Sequence, residues 1–207
     1  MILRVGLTGG LASGKSSVAA GLRKRGIPVL DADEVVHDLY RPGRNGAEAV
    51  EVAFGREFLD ASGRVDRRKL AGRVFSDPAA LARLDSLVHP LVFAEERYWL
   101  EGLERSGETV GVVEATLIVE TGGRARYDIL VAVSASEELR AARALARLPG
   151  TSPDEIRRRL AAQAADLDRE RQADIVIRND GDREKLEAEA ERLAARLRDE
   201  AARRARS

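Results

Sequence analysis

Short apolar runs rich in valine, leucine and isoleucine recur along the chain and predict buried β-strands. Stretches with helical spacing separate these runs; in residues 15–24, for example, Val18 and Leu22 share one face and Gly26 follows as a stop signal. Strands that alternate with helices are typical of parallel βαβ units. The pattern therefore predicts a single α/β domain with a five-stranded parallel sheet covered by helices. The five predicted strands cover residues 2–7, 27–30, 109–115, 129–133 and 175–177.

The segment between the second and third runs, residues 34–107, is too long for a simple crossover and predicts a helical insertion beside the sheet. Within it, Ser76-Asp77-Pro78 is a helix start, with a capping residue before proline. His89-Pro90 is expected to bend or break the helix that follows, because proline lacks a backbone donor and clashes with the preceding turn.

Two further helical regions complete the predicted organisation. Residues 136–168 contain two helical stretches around a turn signal at Leu148-Pro149-Gly150, and a charged helix begins at about residue 183. That last helix carries Leu186, Leu193 and Leu197 on one stripe. The sheet core is assigned to about residues 1–33, 108–135 and 170–207.

Composition and charge exclude several classes of protein. The 35 basic and 35 acidic residues cancel, so no overall field attracts nucleic acid or an anionic membrane. There is no cysteine, which excludes disulfides and thiolate metal sites. The first residues lack the layout of a signal peptide, and polar residues interrupt every apolar run well before membrane-spanning length. We therefore expect a soluble cytoplasmic protein.

A phosphate-binding motif follows the first predicted strand and opens the first predicted helix. Residues 9–16, GGLASGKS, match the pattern G-x-x-x-x-G-K-[ST]. Glycines let the backbone wind tightly enough for its N–H groups to point at phosphate oxygens, and the helix N-terminus adds further donors. Lys15 is expected to bind the β- and γ-phosphates of ATP, and Ser16 to bind Mg²⁺. The predicted ATP-binding residues of this loop are Gly10, Leu11, Ala12, Ser13, Gly14, Lys15, Ser16 and Ser17.

Three carboxylates follow apolar runs, at the strand ends where open α/β sheets bind ligands. Asp31 and Asp33 close the second run, and a carboxylate there can orient an acceptor hydroxyl toward a γ-phosphate and take its proton. The alternative for Asp33 is a helix cap. Glu114 ends the third run, where an acid can hold Mg²⁺; the alternative is a strand end that faces solvent.

Three arginines follow the fourth run at spacings of three and four residues, so they share one helix face. They are Arg140, Arg143 and Arg147. Such a stripe can close over the phosphates as a lid that neutralises charge and excludes water. The alternative is a solvated helix face, because all but four of the 35 basic residues are arginines and one arginine alone says little about function.

Taken in order, the motifs of this sequence resemble the dephospho-coenzyme A kinase family. They extend over nearly the whole chain, to about residue 190, and as an ordered set they are far more specific than the phosphate-binding motif alone. The matching landmarks are GLTGGLASGKSSV at residues 6–18, Asp31-Ala32-Asp33, Phe54-Gly55, Val65-Asp66-Arg67, His89-Pro90, Glu120-Thr121-Gly122, Arg143, Arg147, Gln163 and residues 173–181.

The resemblance implies a P-loop NTPase-type fold and ATP-dependent phosphorylation of the ribose 3′-hydroxyl of dephospho-coenzyme A, with Mg²⁺. It implies that residues 34–107 bind the acceptor and that residues 136–168 form a lid. Asp33 matches the family's catalytic base, and Lys15 and Arg143 match groups that act on the transferred phosphate. Arg147 and Asn179 are expected to contact ATP. The expected acceptor contacts are Thr8, Asp31, His89 and Glu120.

The sequence departs from the family pattern at two places and leaves two alternatives open. The family's proline after the third strand is absent from residues 114–120, and Arg140 stands where the family often has glutamine. One alternative is another P-loop kinase that acts on a nucleoside, a nucleotide or a small metabolite. The other is a GTP-dependent switch, although Val133-Ser134-Ala135-Ser136 replaces the Asn-Lys-x-Asp motif of that class.

Overall fold

The structure, a computed structural model, describes residues 1–148, 150–161 and 166–206. The predicted turn residue Pro149 and the family landmark Gln163 lie outside the described residues. The chain divides into two compact units. We call Met1–Leu30 with Gly102–Ser207 the core unit, and Asp31–Glu101 the helical unit. No helix in the described part of the chain is both long and apolar enough to cross a membrane.

The described residues contain a five-stranded sheet with the order β2-β3-β1-β4-β5. Strand β1 pairs in parallel with β3 and β4, and β4 pairs in parallel with β5. This confirms the predicted P-loop-type parallel sheet. The strands are β1 (Leu3–Thr8), β2 (Val29–Asp31), β3 (Val110–Glu114), β4 (Ile129–Ser134) and β5 (Ile175–Arg178).

Helices separate and follow the strands as the alternating pattern predicts. The α-helices are α1 (Lys15–Lys24), α2 (Ala32–Leu39), α3 (Asn45–Phe54), α4 (Arg67–Phe75), α5 (Pro78–Arg105), α6 (Glu137–Arg147), α7 (Pro153–Ala161), α8 (Asp166–Gln172) and α9 (Arg183–Arg204). Of these, α2 to α4 belong to the helical unit, and α1 and α6 to α9 belong to the core unit.

Helices α1 and α9 pack against one face of the sheet. Alternate residues of β1, β3 and β4 enter a single apolar cluster with both helices, as the period of two along a strand requires. The predicted stripe of α9 is part of this cluster, with Leu186, Leu193 and Leu197 buried. The helix that begins at the phosphate-binding loop is therefore fixed to the sheet along its length.

Close packing and an ion-pair network hold α1 to α9. A Cβ atom on Gly21 would lie 2.6 Å from the Cβ atom of Ala190, so glycine permits the close approach of the two helices. At the end of α1, Arg25 contacts Glu187 at 2.9 Å and Glu191 at 3.2 Å. The hydrogen bond from Arg25 lowers the pKa of Glu187 below its ordinary value.

The second strand begins two residues later than predicted. The backbone N–H of Ile27 donates to the carbonyl of Leu22, so Ile27 still belongs to the turn that ends α1. Its apolar side chain is buried in the core cluster and does not mark a strand position. An apolar run in the sequence does not show whether a buried isoleucine belongs to the strand or to the turn before it.

Helix α5 continues through Pro90, so the prediction of a break there is wrong. The predicted start is confirmed, because the Asp77 carboxylate accepts from the N–H groups of Ala79 and Ala80. Val88 and Val92, on either side of the proline, are both buried. We infer that their packing offsets the roughly 3 kcal/mol that an interior proline costs.

Two glycine-to-alanine substitutions test the close contact between α1 and α9. We expect Gly21→Ala to destabilise the protein by about 1–3 kcal/mol, because the new methyl group collides with Ala190. Gly72 in α4 is the matched control, since its Cβ would meet nothing within 4 Å, and Gly72→Ala should stabilise by about 0.5–1 kcal/mol. Urea denaturation measures both, and equal effects of the two substitutions would contradict the packing argument.

Candidate phosphate-binding site

The loop between β1 and α1 has a backbone path that requires glycine at two positions. A Cβ atom on Gly9 would lie 2.5 Å from the carbonyl oxygen of Val133. Gly14 has a φ of +100°, and its Cβ would lie 2.1 Å from Nδ2 of Asn179. Ala12 has a φ of 58°, in a region that residues other than glycine adopt infrequently. The surrounding residues therefore hold this loop in a tightly wound conformation.

Asn179, just after β5, binds the loop from the side. Its Nδ2 donates to the carbonyl oxygen of Ser13 at 2.8 Å, and its side chain is buried. A guanidinium nitrogen of Arg143 on α6 donates in turn to the Asn179 carbonyl at 3.0 Å. The structure thus brings together Asn179, which was predicted to contact ATP, and Arg143, which was predicted to act on the transferred phosphate.

Lys15, Ser16 and Glu114 meet at the beginning of α1. Lys15 Nζ lies 2.8 Å from Oε1 of Glu114, and the Ser16 hydroxyl donates to the same oxygen at 2.7 Å. Glu114 is 1% exposed, so the alternative of a strand end that faces solvent is wrong. The structure places a buried carboxylate beside the lysine and the hydroxyl of the predicted phosphate site.

The second oxygen of Glu114 bears on the prediction of a magnesium site. Oε2 is buried, accepts no hydrogen bond from the described residues, and lies 4.0 Å from a guanidinium nitrogen of Arg23. A carboxylate oxygen and a serine hydroxyl are hard oxygen ligands of the kind that Mg²⁺ prefers. The residues present therefore fit the ion.

The arginine stripe of α6 is divided between three environments. Arg140 is 6% exposed, and its Nε donates to the carbonyl of Leu11 in the loop at 3.0 Å. Arg143 is half-buried and contacts Asn179, whereas Arg147 is exposed. The alternative of a solvated helix face is therefore wrong for Arg140 and holds for Arg147 in this structure.

Thr8 and Glu120, predicted to contact the acceptor, both bind other parts of the core unit. The Thr8 hydroxyl is buried and donates to the carbonyl of Thr116 at 3.1 Å. Glu120 forms an ion pair with Arg169 of α8, whose side chain is 1% exposed. Sequence reasoning missed Arg169, because one arginine in a polar helix carries no signal of burial.

Three predicted residues lie in the helical unit, where their local contacts differ. Asp31 is the N-cap of α2, because its carboxylate accepts from the N–H of Asp33 at 2.8 Å. The alternative prediction, that Asp33 caps the helix, is thus wrong. Asp33 lies exposed in the first turn of α2. His89 stacks on Phe93 with 5.9 Å between ring centroids, and its Nε2 lies 3.8 Å from Asp85.

A double-mutant cycle tests the buried pair of Lys15 and Glu114. Because Glu114→Gln leaves a buried ammonium without its counter-charge, we expect it to destabilise the protein by about 3 kcal/mol. Lys15→Met should cost less in the Glu114→Gln background than in the wild type, which chemical denaturation without nucleotide measures. Additive effects of the two substitutions would show that the pair is not coupled.

Comparison with known proteins identifies the family. The family model for dephospho-CoA kinase matches residues 3–185. A dephospho-CoA kinase of Methylococcus capsulatus is 43% identical over 195 residues, which cover 94% of this chain and 96% of the relative. One of Bdellovibrio bacteriovorus is 38% identical over 189 residues, or 91% and 93% of the two chains. A crystal structure from Thermus thermophilus, 37% identical, superposes with a TM-score of 0.78 over 95% of this chain and 98% of that chain.

The family model covers far more than half of the chain, and the relatives match over nearly their whole length. The resemblance found in the sequence is therefore confirmed. This chain belongs to the dephospho-CoA kinase family.

Proposed function

We propose that this protein transfers the γ-phosphoryl group of ATP to the ribose 3′-hydroxyl of dephospho-CoA and forms CoA and ADP. The observation that carries the proposal is the arrangement of Lys15, Ser16 and buried Glu114 at a phosphate-binding loop in a chain of this family. In the reaction the 3′-oxygen forms a bond to the γ-phosphorus, the bond from that phosphorus to the ADP oxygen breaks, and the hydroxyl proton leaves.

The loop and the beginning of α1 would hold the triphosphate. The first turn of α1, which the structure describes in full, carries no acidic side chain, so no charge on that turn itself offsets the positive end of the helix dipole. Backbone N–H groups within residues 10–17 are the proposed phosphate donors, and those of Ser13 and Ser17 also donate to the carbonyls of Gly10 and Gly14. Lys15 would exchange its contact with Glu114 for the phosphate oxygens, and Arg143 and Arg147 would add positive charge.

Ser16 and Glu114 are the proposed protein ligands of Mg²⁺. When bound, the ion would neutralise charge on the β- and γ-phosphates. Within the described ranges, no group of three histidine, aspartate or glutamate side chains could hold a metal. This agrees with a magnesium ion held by one or two protein oxygens together with phosphates and water.

Asp33 is the proposed base for the acceptor hydroxyl. Its position in the first turn of α2, where Asp31 serves as the cap, supports this role because its carboxylate is not required for capping. A loose transition state needs only a weak base, which orients the hydroxyl and receives its proton late. We propose that residues 34–107 bind the acceptor, that Thr8, Asp31, His89 and Glu120 contact it, and that residues 136–168 cover the phosphates.

The identity of the acceptor is tested by offering the purified protein several hydroxyl compounds with Mg-ATP. Dephospho-CoA, adenosine, AMP and gluconate would be compared, and mass spectrometry would detect the gain of one phosphoryl group. We expect turnover of dephospho-CoA only. Turnover of AMP, adenosine or gluconate without turnover of dephospho-CoA would instead support another small-molecule kinase.

Substitution of the two aspartates tests whether Asp33 is the base and Asp31 serves as the helix cap. Asp33→Asn should lower kcat on the order of 10²-fold or more, because the amide cannot accept the proton, and should leave the Kd for ATP unchanged. Asp31→Asn is the control, since asparagine also caps helices well and should preserve the fold. Steady-state kinetics and calorimetric titration measure both variants. Full activity of Asp33→Asn together with loss in Asp31→Asn would assign the base to Asp31.

A further inference from the structure

Arg140 occupies a position that the proposed reaction does not use. Its side chain is buried against the phosphate-binding loop and is not part of a solvated helix face. We propose that Arg140 is a positioning residue, which orients the backbone of this loop before ATP arrives. The inference rests on the proposed use of the loop for ATP, but not on the identity of the acceptor.

The first support is the direct contact between Arg140 and the loop. Its Nε donates to the carbonyl oxygen of Leu11 at 3.0 Å, and the side chain is 6% exposed. A guanidinium that has lost its water is stable only where its N–H groups are used. The hydrogen bond to Leu11 is therefore a shielded, charge-assisted one, which is stronger than a bond between neutral groups.

The second support is the direction that this bond gives to an adjacent amide. The peptide unit is planar, so a fixed carbonyl of Leu11 also fixes the direction of the N–H of Ala12. In the same way, the bond from Asn179 to the carbonyl of Ser13 fixes the N–H of Gly14. Both N–H groups belong to the proposed phosphate donors. Arg140 and Asn179 thus orient alternate amides of the loop.

The third support is that both attachments lead to one helix. Arg143, one turn after Arg140 on α6, donates to the carbonyl of Asn179. Helix α6 therefore holds the loop at Leu11 directly and at Ser13 through Asn179, on both sides of Ala12 with its positive φ. Two bonds that flank the strained residue oppose its relaxation to a commoner conformation.

Apolar packing alone does not explain this arrangement. Leu11 and Ala12 also pack against a buried cluster of Ala144, Ile156 and Leu160. Burial of apolar surface is not directional, so it can hold the loop near α6 without fixing how its peptide units turn. The hydrogen bond from Arg140 supplies the direction, and a loop ordered in advance binds its ligand with a smaller entropic cost.

The expected consequence is a loss of ATP affinity without a loss of acceptor affinity. We expect Arg140→Met, which keeps an extended side chain and removes the donors and the charge, to raise the Kd for Mg-ATP about tenfold. The Kd for dephospho-CoA should stay unchanged. Arg140→Gln, which keeps a neutral N–H donor on a shorter side chain, should give a Kd between those of Arg140→Met and the wild type.

Arg124→Met is the matched control, because Arg124 also donates to a backbone carbonyl, that of Tyr127 at 2.7 Å, and pairs with Asp174. Calorimetric titrations with Mg-ATP and with dephospho-CoA would all be made at one temperature, about 20 °C below the lowest melting temperature among the variants, so that only folded protein is compared. We expect Arg124→Met to leave both affinities unchanged. Equal weakening of ATP binding in Arg140→Met and Arg124→Met, or wild-type ATP affinity in Arg140→Met, would overturn the proposal.

Amide hydrogen exchange without nucleotide gives a readout that general destabilisation would not reproduce. We expect Arg140→Met and Arg140→Gln to speed exchange at Ser13, whose N–H donates to the carbonyl of Gly10 within the loop at 3.1 Å, while exchange at Val131, in the centre of the sheet, stays as in Arg124→Met. If Arg140→Met does not fold, the test rests on Arg140→Gln, and wild-type values of both its ATP Kd and its Ser13 exchange would overturn the proposal. A wild-type protein that binds ATP but does not phosphorylate dephospho-CoA would refute the proposed function and leave the role of Arg140 standing.

Discussion

The phosphate-binding loop can bind a triphosphate only if its amides point at one place before the ligand arrives. That requirement accounts for the glycine at Gly14, where a side chain would collide with Asn179, and for the positive φ of Ala12. It also accounts for the contacts around the loop, since Asn179 and Arg140 hold its carbonyl oxygens. The sheet and α1 fix the two ends of the loop, and α6 fixes its middle.

Electrostatics at this site are local, because the chain as a whole carries no net charge. The positively charged groups at the loop are Lys15, which begins α1, and Arg140 of α6, which donates to the carbonyl of Leu11. Buried Glu114 balances the charge of Lys15 and keeps its ammonium group beside Ser16. A buried ion pair of this kind contributes little net stability, but it positions a charge that the ligand can then recruit.

Local patterns predicted much of this molecule, and tertiary contacts explain what they missed. The strands, helix α1 and the phosphate-binding loop follow from periodicity and from a motif whose residues are adjacent in the chain. The start of β2 and the continuation of α5 through Pro90 depend on which side chains are buried. A run of apolar residues in the sequence does not specify this. The burial of Arg140 and Arg169 depends on partners more than a hundred and about fifty residues away, respectively, in a chain where arginine is common.

The claim that the loop between β1 and α1 is the triphosphate site is tested most directly by nuclear magnetic resonance. Mg-ATP would be titrated into ¹⁵N-labelled wild-type protein, and the backbone amide signals would be followed residue by residue. Our account predicts that the largest shifts fall on residues 10–17 and saturate together. Saturable binding whose shifts fall elsewhere on the core unit, with residues 10–17 unmoved, would contradict it.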